Sequence, residues 1–494
     1  MYVTLNPQYG IRNEKYASYI CLLDNSIDAI LQRFPRYLQI PPLCGYIISQ
    51  FNGDKLELSI NRISYTLQID RTVVSKFVTQ LINKSTSLEI KYQGITIRFP
   101  LRILIGSKMP FSKKNIKIVS NKDFNPFNKF TSSRPSMPLS INIMLTTKCG
   151  TDCIYCYADR NTKVDFKLTK ILSLLDECHK YGVLRVGLSG GDIFAYKDWK
   201  KVIAKMYEYN YSPFISTKIP LDDDSITFLT ESGIKEIQFS LDSILVEESR
   251  LIVKTKTGYI EKVEKMFNSC KTNNIKVEVQ TVLTKYNANL NSLKSLYETL
   301  LVNDIDTWSI VPSFYSNFKG EYEGYRANDK MLNDCYQYLT GLQNKTSLRI
   351  LIRGLENKMK AAIKYKDTDK FIQHNKGCAI TTYSMWINVF GQVVLCEMLY
   401  NNQVFHLGNV NNTCIADIWQ SEKMKSFYNY KISNLPVNKE SRCYTCKDFN
   451  QCKIGNIKKV CIADIITVYG PDKWDYPDPK CPYSPECNMD LILA

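Results

Sequence analysis

Between Leu139 and Val311 the chain alternates short β-branched runs with amphipathic stretches of helical period, and no other feature limits its fold as strongly. The runs predict strands at Ser140–Thr146, Arg185–Leu188, Pro213–Ser216, Glu236–Leu241, Lys276–Leu283 and Thr307–Val311. Between the first two, Leu168, Ile171, Leu172 and Leu175 recur at i, i+3, i+4 and i+7, the spacing of one helix face. Repeated strand–helix units demand parallel pairing, and six of them predict an α/β fold with a partial (β/α)6 barrel. In such sheets chemistry gathers in the loops at the carboxyl ends of the strands.

The flanks read differently. Residues 1–105 form a small α/β unit, with strands near Gly10–Arg12 and Ser18–Leu23 and helices near Ile40–Phe51, Leu58–Thr66 and Asp70–Asn83. In the last helix Val73, Val74, Phe77, Val78 and Leu81 share one face, and Asp70 is placed to cap it. Leu88–Phe99 alternates around Gln93-Gly94 and predicts a hairpin. Residues 106–138 hold Pro110, Pro126, Pro135 and Pro138, and seven Lys or Arg against one Asp between Lys108 and Arg134. That composition reads as a linker, a solvated basic tether. The barrel then takes 139–345, and 346–494 make a cysteine-rich tail.

No run of 18 apolar residues exists, so no membrane span is expected, and the start MYVTLNPQYG lacks the basic and apolar regions of a secretory signal. A cytoplasmic protein is the expectation. There, 17 cysteines read as metal ligands or redox groups sooner than as disulfides, and three histidines supply little for His-based sites. Metal would bind here through sulfur. The net charge of +16 permits a nucleic acid or an acidic peptide as partner and demands neither.

Directly after the first strand comes Cys149-Gly-Thr-Asp-Cys153-Ile-Tyr-Cys156. Three thiolates on one short loop can hold three irons of a cubane and leave the fourth open, as a catalytic site needs. Zinc would want a fourth nitrogen or sulfur, and no histidine stands nearby. Spacing CxxxCxxC followed by Tyr157 resembles the signature of the radical S-adenosylmethionine (SAM) superfamily. Ser189-Gly190-Gly191-Asp192 resembles its Gly-Gly-Glu-Pro segment, which binds the methionyl amine, with Asp192 and Ile193 where Glu and Pro are usual. Ser216-Thr217-Lys218 and Ser240-Leu241-Asp242-Ser243 resemble the segments that meet the ribose and carboxylate of SAM. Tyr155 stands where the family places an aromatic residue beside the adenine.

The tail resembles a second family. Cys378, Gly391-x4-Cys396 and Cys443-x2-Cys446-x5-Cys452, with Leu407-Gly408-Asn409-Val410 and Ile418-Trp419 between, look like the SPASM domain of peptide-modifying radical SAM enzymes. The resemblance implies two auxiliary [4Fe–4S] clusters, and so three in all. Cys378, Cys396 and Cys461 would hold one, with Cys461 standing in where Asn456 replaces the usual cysteine. Cys443, Cys446, Cys452 and Cys481 would hold the other, with Cys487 an unplaced candidate. Cys21, Cys44, Cys178, Cys270, Cys335 and Cys414 are expected as buried small hydrophobes.

Residues 1–105 resemble the winged-helix-like recognition element of enzymes that modify ribosomal peptides. In that family a precursor's leader adds as a strand to a sheet edge. A DNA-binding helix-turn-helix is the rival for Leu58–Asn83. Together the resemblances imply a maturase that joins a Cys of a precursor peptide in a thioether cross-link by way of a 5′-deoxyadenosyl radical. A carbon–carbon cyclase or an epimerase stays open, and the electron donor would be a flavodoxin or ferredoxin. A tRNA- or rRNA-modifying enzyme suits the charge, but neither the tail nor the front.

Overall fold

The computed structural model describes all residues except 24–35, 93, 112–115, 159–161, 317–321, 344, 356–363, 376–377, 379, 400–401, 429–437, 454–458, 488 and 492–494. Gln93 and Asn456 therefore lie outside the described residues. All six expected barrel strands form: Ser140–Met144, Arg185–Ser189, Ser216–Thr217, Glu236–Ser240, Lys276–Leu283 and Thr307–Pro312. The third is shorter than expected, because Pro213 has no N–H to give a ladder. A seventh, Arg349–Ile352, pairs parallel with Thr307–Pro312, so the parallel sheet runs past residue 345.

The strands divide into two sheets. Ser216–Thr217 opens a five-stranded parallel sheet that ends at Arg349–Ile352. Ser140–Met144 and Arg185–Ser189 belong to another, which continues through Ser384–Ile387, parallel, into the antiparallel strands Gln392–Val394 and His406–Asn409. The tail thus begins as strands of the sheet whose first member leads into Cys149. One hydrophobic cluster covers both parts, from Ile141, Leu175, Ile237 and Val279 to Phe405, Trp419 and Trp474. Helix Leu168–Lys180 buries Ile171, Leu174, Leu175 and Cys178 against it. Each such aliphatic side chain contributes about 1.5–3 kcal/mol. Leu168 and Leu172, expected on the same face, are only partly buried at its margin.

The amino-terminal unit has its own core. Helices Pro42–Ser49, Leu56–Leu67 and Arg71–Thr79 accompany a three-stranded antiparallel sheet, Asn52–Lys55, Tyr2–Leu5 and Leu104–Ser107. Asp70 caps its helix by accepting from the Thr72 N–H at 2.7 Å. Val74, Val78 and Leu81 are buried, Phe77 meets Phe99 edge-on, and Val73 faces solvent. Leu88–Tyr92 and Ile95–Phe99 form the expected hairpin, a ribbon of two strands.

Residues 106–138 depart from a solvated tether. Ile118–Ser120 pairs parallel with Tyr9–Asn13 inside a four-stranded sheet. The Lys117 ammonium lies over the Tyr211 ring and donates to the Leu184 carbonyl at 3.2 Å. Arg134 stacks on Trp419 and donates to the carbonyls of Thr381 and Trp419. Buried Arg12 donates to the carbonyls of Met137, Pro138 and Tyr181, and Glu14 accepts from Ser136. These cations bind carbonyls and ring faces, so the amino-terminal unit is bolted to barrel and tail. Among the described residues no helix is long and apolar enough to cross a membrane.

Candidate active site

The loop that carries Cys149, Cys153 and Cys156 is fixed by its backbone. The N–H groups of Asp152 and Ile154 donate to the carbonyls of Val253 and Ile252, at 3.0 and 2.9 Å. Ser316 donates to the Cys156 carbonyl at 2.6 Å. The Thr151 hydroxyl lies 3.5 Å from the Cys149 sulfur and 3.6 Å from that of Cys153. All three cysteines line a cavity of about 590 Å3, within the usual range of small-molecule sites. Tyr155, Ser189, Gly190, Gly191, Asp192, Ser216, Lys218 and Ser240 line the same cavity. Of the expected SAM contacts only Asp242 stands back from it.

The chemistry of this wall fits a sulfur-bound cluster beside a polar cofactor. Burial pushes the Cys153 thiol up to about 12, so a bound cation is needed to hold it as thiolate at neutral pH. Three thiols of one loop that line a cavity suit one thiolate per iron of a cluster. The Ser189 hydroxyl is buried at the wall with no hydrogen-bond partner among the described residues, as a donor or acceptor for a ligand would be.

The glycine turn does a second job. A Cβ on Gly191 would sit 2.1 Å from the Lys148 carbonyl oxygen, and one on Gly190 2.5 Å from that of Thr146. Only glycine lets this turn close on the backbone of the cysteine loop, which the Gly191 N–H meets by donating to Thr146 O at 2.8 Å. Asp192 is only 5 % exposed. Its carboxylate accepts from Phe194 N–H at 3.0 Å, the Thr217 hydroxyl at 2.7 Å and Lys218 N–H at 2.9 Å. It clasps the second strand to the third, where no ladder joins the two sheets. The shorter acid in place of Glu is thus engaged by the protein itself.

Lys218 and Tyr155 reach the cavity with Asp242 behind them. The Asp242 carboxylate is fully buried, 2.9 Å from the Lys218 ammonium, and accepts from the Tyr155 hydroxyl at 2.6 Å and Val282 N–H at 3.0 Å. Burial pulls the Lys218 pKa down, but Asp242 and the nearby cysteine sulfurs raise it by more, so it stays charged. Ser216 donates to Gln238, which donates to Gln280, a line of side chains across three strands. Sequence reasoning did not single out Glu397. Its carboxylate accepts from the Tyr157 hydroxyl at 3.2 Å, and both residues line the cavity. The signal was there: each immediately follows a cysteine of a candidate cluster, Cys396 or Cys156.

The tail cysteines line two separate cavities. Cys378, Cys396 and Cys461 line one narrow apolar cavity with Leu395, Phe427 and Trp474. Cys443, Cys446, Cys452 and Cys481 line a second, with Phe371 and Phe449. Burial pushes the Cys396 and Cys481 thiols up to about 12 and about 11. Asp478 links the sets, accepting from Cys461 N–H on its side chain and from Cys481 N–H on its carbonyl. Cys487 lines neither cavity; its sulfur lies 3.6 Å from that of Met489. Of the six remaining cysteines five are buried, whereas Cys414 is half-exposed at the start of helix Ile415–Gln420.

Known proteins share these features. The sequence profile of the radical SAM superfamily matches residues 143–300, and that of SPASM, an iron–sulfur cluster-binding domain, matches 378–447. The GTP 3′,8-cyclase of Clostridium perfringens (strain SM101 / Type A) is 30% identical over 174 residues, 34% of this chain and 53% of that protein. The chain thus spans about half the length of the first curated relatives it matches. The PqqA peptide cyclase of Granulibacter bethesdensis is 23% identical over 355 residues, 70% of this chain and 88% of that protein. The crystal structure of Streptococcus suis SuiB bound to precursor peptide SuiA shares the fold, with a TM-score of 0.61 at 16% identity, over 97% of this chain and 100% of that one. The two domains imply SAM and [4Fe–4S] clusters as cofactors. The chain therefore carries a radical SAM domain over residues 143–300 and, behind it, a SPASM domain over residues 378–447.

Proposed function

We propose that the protein is a cytoplasmic peptide maturase that forms a Cys thioether cross-link in a ribosomal precursor peptide. The observation that carries this reading is the Tyr157–Glu397 hydrogen bond at the wall of the large cavity. It sets the cavity between the loop of Cys149, Cys153 and Cys156 and the tail cavity of Cys396. A substrate there lies between two sulfur-lined sites. When bound, SAM and the clusters supply a 5′-deoxyadenosyl radical that takes a hydrogen atom and an acceptor for the electron released as the new bond closes. Lys218, Tyr155 and Ser189 would orient SAM, Asp242 would hold the first two in place, and Glu397 with Tyr157 would face the peptide. Two auxiliary clusters would be held, one by Cys378, Cys396 and Cys461 and one by Cys443, Cys446, Cys452 and Cys481, a reading that the two sulfur-lined cavities support. A flavodoxin or ferredoxin would supply the electron that starts each turnover.

Peptide is favoured over nucleotide because the likeness to PqqA peptide cyclase covers 70% of the chain, whereas that to GTP 3′,8-cyclase covers 34%. The leader would add as a strand to the amino-terminal unit, whose hairpin edges carry no further strand among the described residues. The test uses the whole chain, since Leu104–Ser107 and Ile118–Ser120 complete the amino-terminal sheets beyond residue 105. A short Cys-rich peptide encoded beside the gene should bind at near micromolar strength, about −8 kcal/mol by fluorescence anisotropy. After turnover it should weigh two hydrogens less and resist alkylation at one cysteine. An untouched peptide alongside conversion of GTP would overturn the proposal; a mass loss with every cysteine still alkylated would indicate a carbon–carbon bond.

Cys461 tests the cluster assignment. Cys461→Ala is expected to disturb one auxiliary EPR signal and leave SAM cleavage measurable, whereas Cys414→Ala should change nothing. Loss of iron from the Cys414 variant alone would reverse the assignment.

A further inference from the structure

The two sulfur cavities of the tail share a wall, and the charged residue in that wall is Lys453, which lines both. It ends the helix Phe449–Lys453, directly after Cys452, and is only 4 % exposed. Its ammonium is fixed in direction by the carbonyls of Asp475 at 2.7 Å and Tyr476 at 3.1 Å. A buried ammonium is costly unless negative charge stands near it. A [4Fe–4S] cluster on thiolates is such a charge, since its ligands outweigh its irons. Asp478 ties Cys461 to Cys481 on the same partition, so the wall that carries Lys453 is held from both sides.

We propose that Lys453 is a shared electrostatic clamp, whose buried positive charge raises the reduction potentials of both auxiliary clusters together. The proposal rests on the reading of the tail as a two-cluster domain. Each cluster gains one negative charge on reduction, and a cation lodged between them stabilises that charge in either direction. Lys453 is a positioning and tuning residue here, since it lies in the tail and not at the wall of the large cavity.

The test is an EPR-monitored dithionite titration of the full chain, reconstituted anaerobically, with Cys149, Cys153 and Cys156 changed to Ala so that only tail signals remain. Two auxiliary signals are expected from that chain. Adding Lys453→Met should shift both to more negative potential, with each reduction equilibrium falling about tenfold or more, while Lys453→Arg stays near the parent. Should the Met variant lose iron from both sites while the Arg variant keeps it, the demand for charge is shown in another way. Two signals with unmoved potentials, a shift in one alone, or equal iron loss in the Arg variant would each overturn the proposal. Absence of two signals in the parent would instead defeat the two-cluster reading, and the clamp with it.

Discussion

Changing Cys149, Cys153 and Cys156 together to alanine is expected to abolish release of 5′-deoxyadenosine from SAM and to remove about a third of the iron of the reconstituted protein. The fold should survive. The loop is held by backbone bonds from Asp152, Ile154 and Cys156 to Val253, Ile252 and Ser316, and none of these uses a sulfur. Its base is held by the Gly191 and Asp192 N–H groups on Thr146 and Lys148. The melting temperature of the metal-free variant should therefore lie close to that of the metal-free parent. The SAM-induced change in the EPR spectrum should vanish along with activity, because the open iron that SAM meets would be gone. Continued 5′-deoxyadenosine release from a folded variant would remove the central claim about this loop.

The sequence made the local chemistry legible and left the long-range ties hidden. Cys149, Cys153 and Cys156 fall within one short loop, where neighbours along the chain stay neighbours in space, whereas the tail sets, which bring Cys461 to Cys396 and Cys481 to Cys443, were suggested by the family resemblance and not by spacing. The barrel strands were readable from β-branched runs between helices of period 3.6. Residues 106–138 were not, since pairing of Ile118–Ser120 with Tyr9–Asn13 joins segments about a hundred residues apart and leaves no periodic mark. Counting Lys and Arg there suggested a solvated stretch, yet Lys117 and Arg134 bind carbonyls and aromatic faces that composition does not show. Asp192 read as a ligand contact because its motif resembles a SAM-binding segment; its partners Thr217 and Lys218 lie at the end of the next strand. Glu397 escaped notice because a lone acid after a cysteine has no pattern until Tyr157 is brought to it.

Asp242 should be the costliest single side chain to remove from behind the wall of the large cavity. It follows the strand Glu236–Ser240, is wholly buried, and satisfies three donors: the Lys218 ammonium, the Tyr155 hydroxyl and the Val282 N–H. Asp242→Ala leaves an ammonium that is 12 % exposed without its counter-charge and two further donors without an acceptor. Breaking a buried pair from one side costs about 3–5 kcal/mol. Each unmet donor costs about 1–3 kcal/mol more, although neighbouring losses do not simply add. The expected result is a melting transition clearly below that of the parent, with SAM binding lost because Lys218 and Tyr155 no longer hold their places. A double variant, Lys218→Met with Asp242→Leu, separates the two effects. Replacing both charges by apolar groups of similar size should recover the share lost to the unpaired charge, while the Tyr155 hydroxyl and the Val282 N–H still lack their acceptor. It should not recover SAM cleavage, since the Lys218 ammonium that faces the cavity is absent. If Asp242→Ala melts with the parent and cleaves SAM at the parental rate, the carboxylate neither holds the wall nor orients the residues before it.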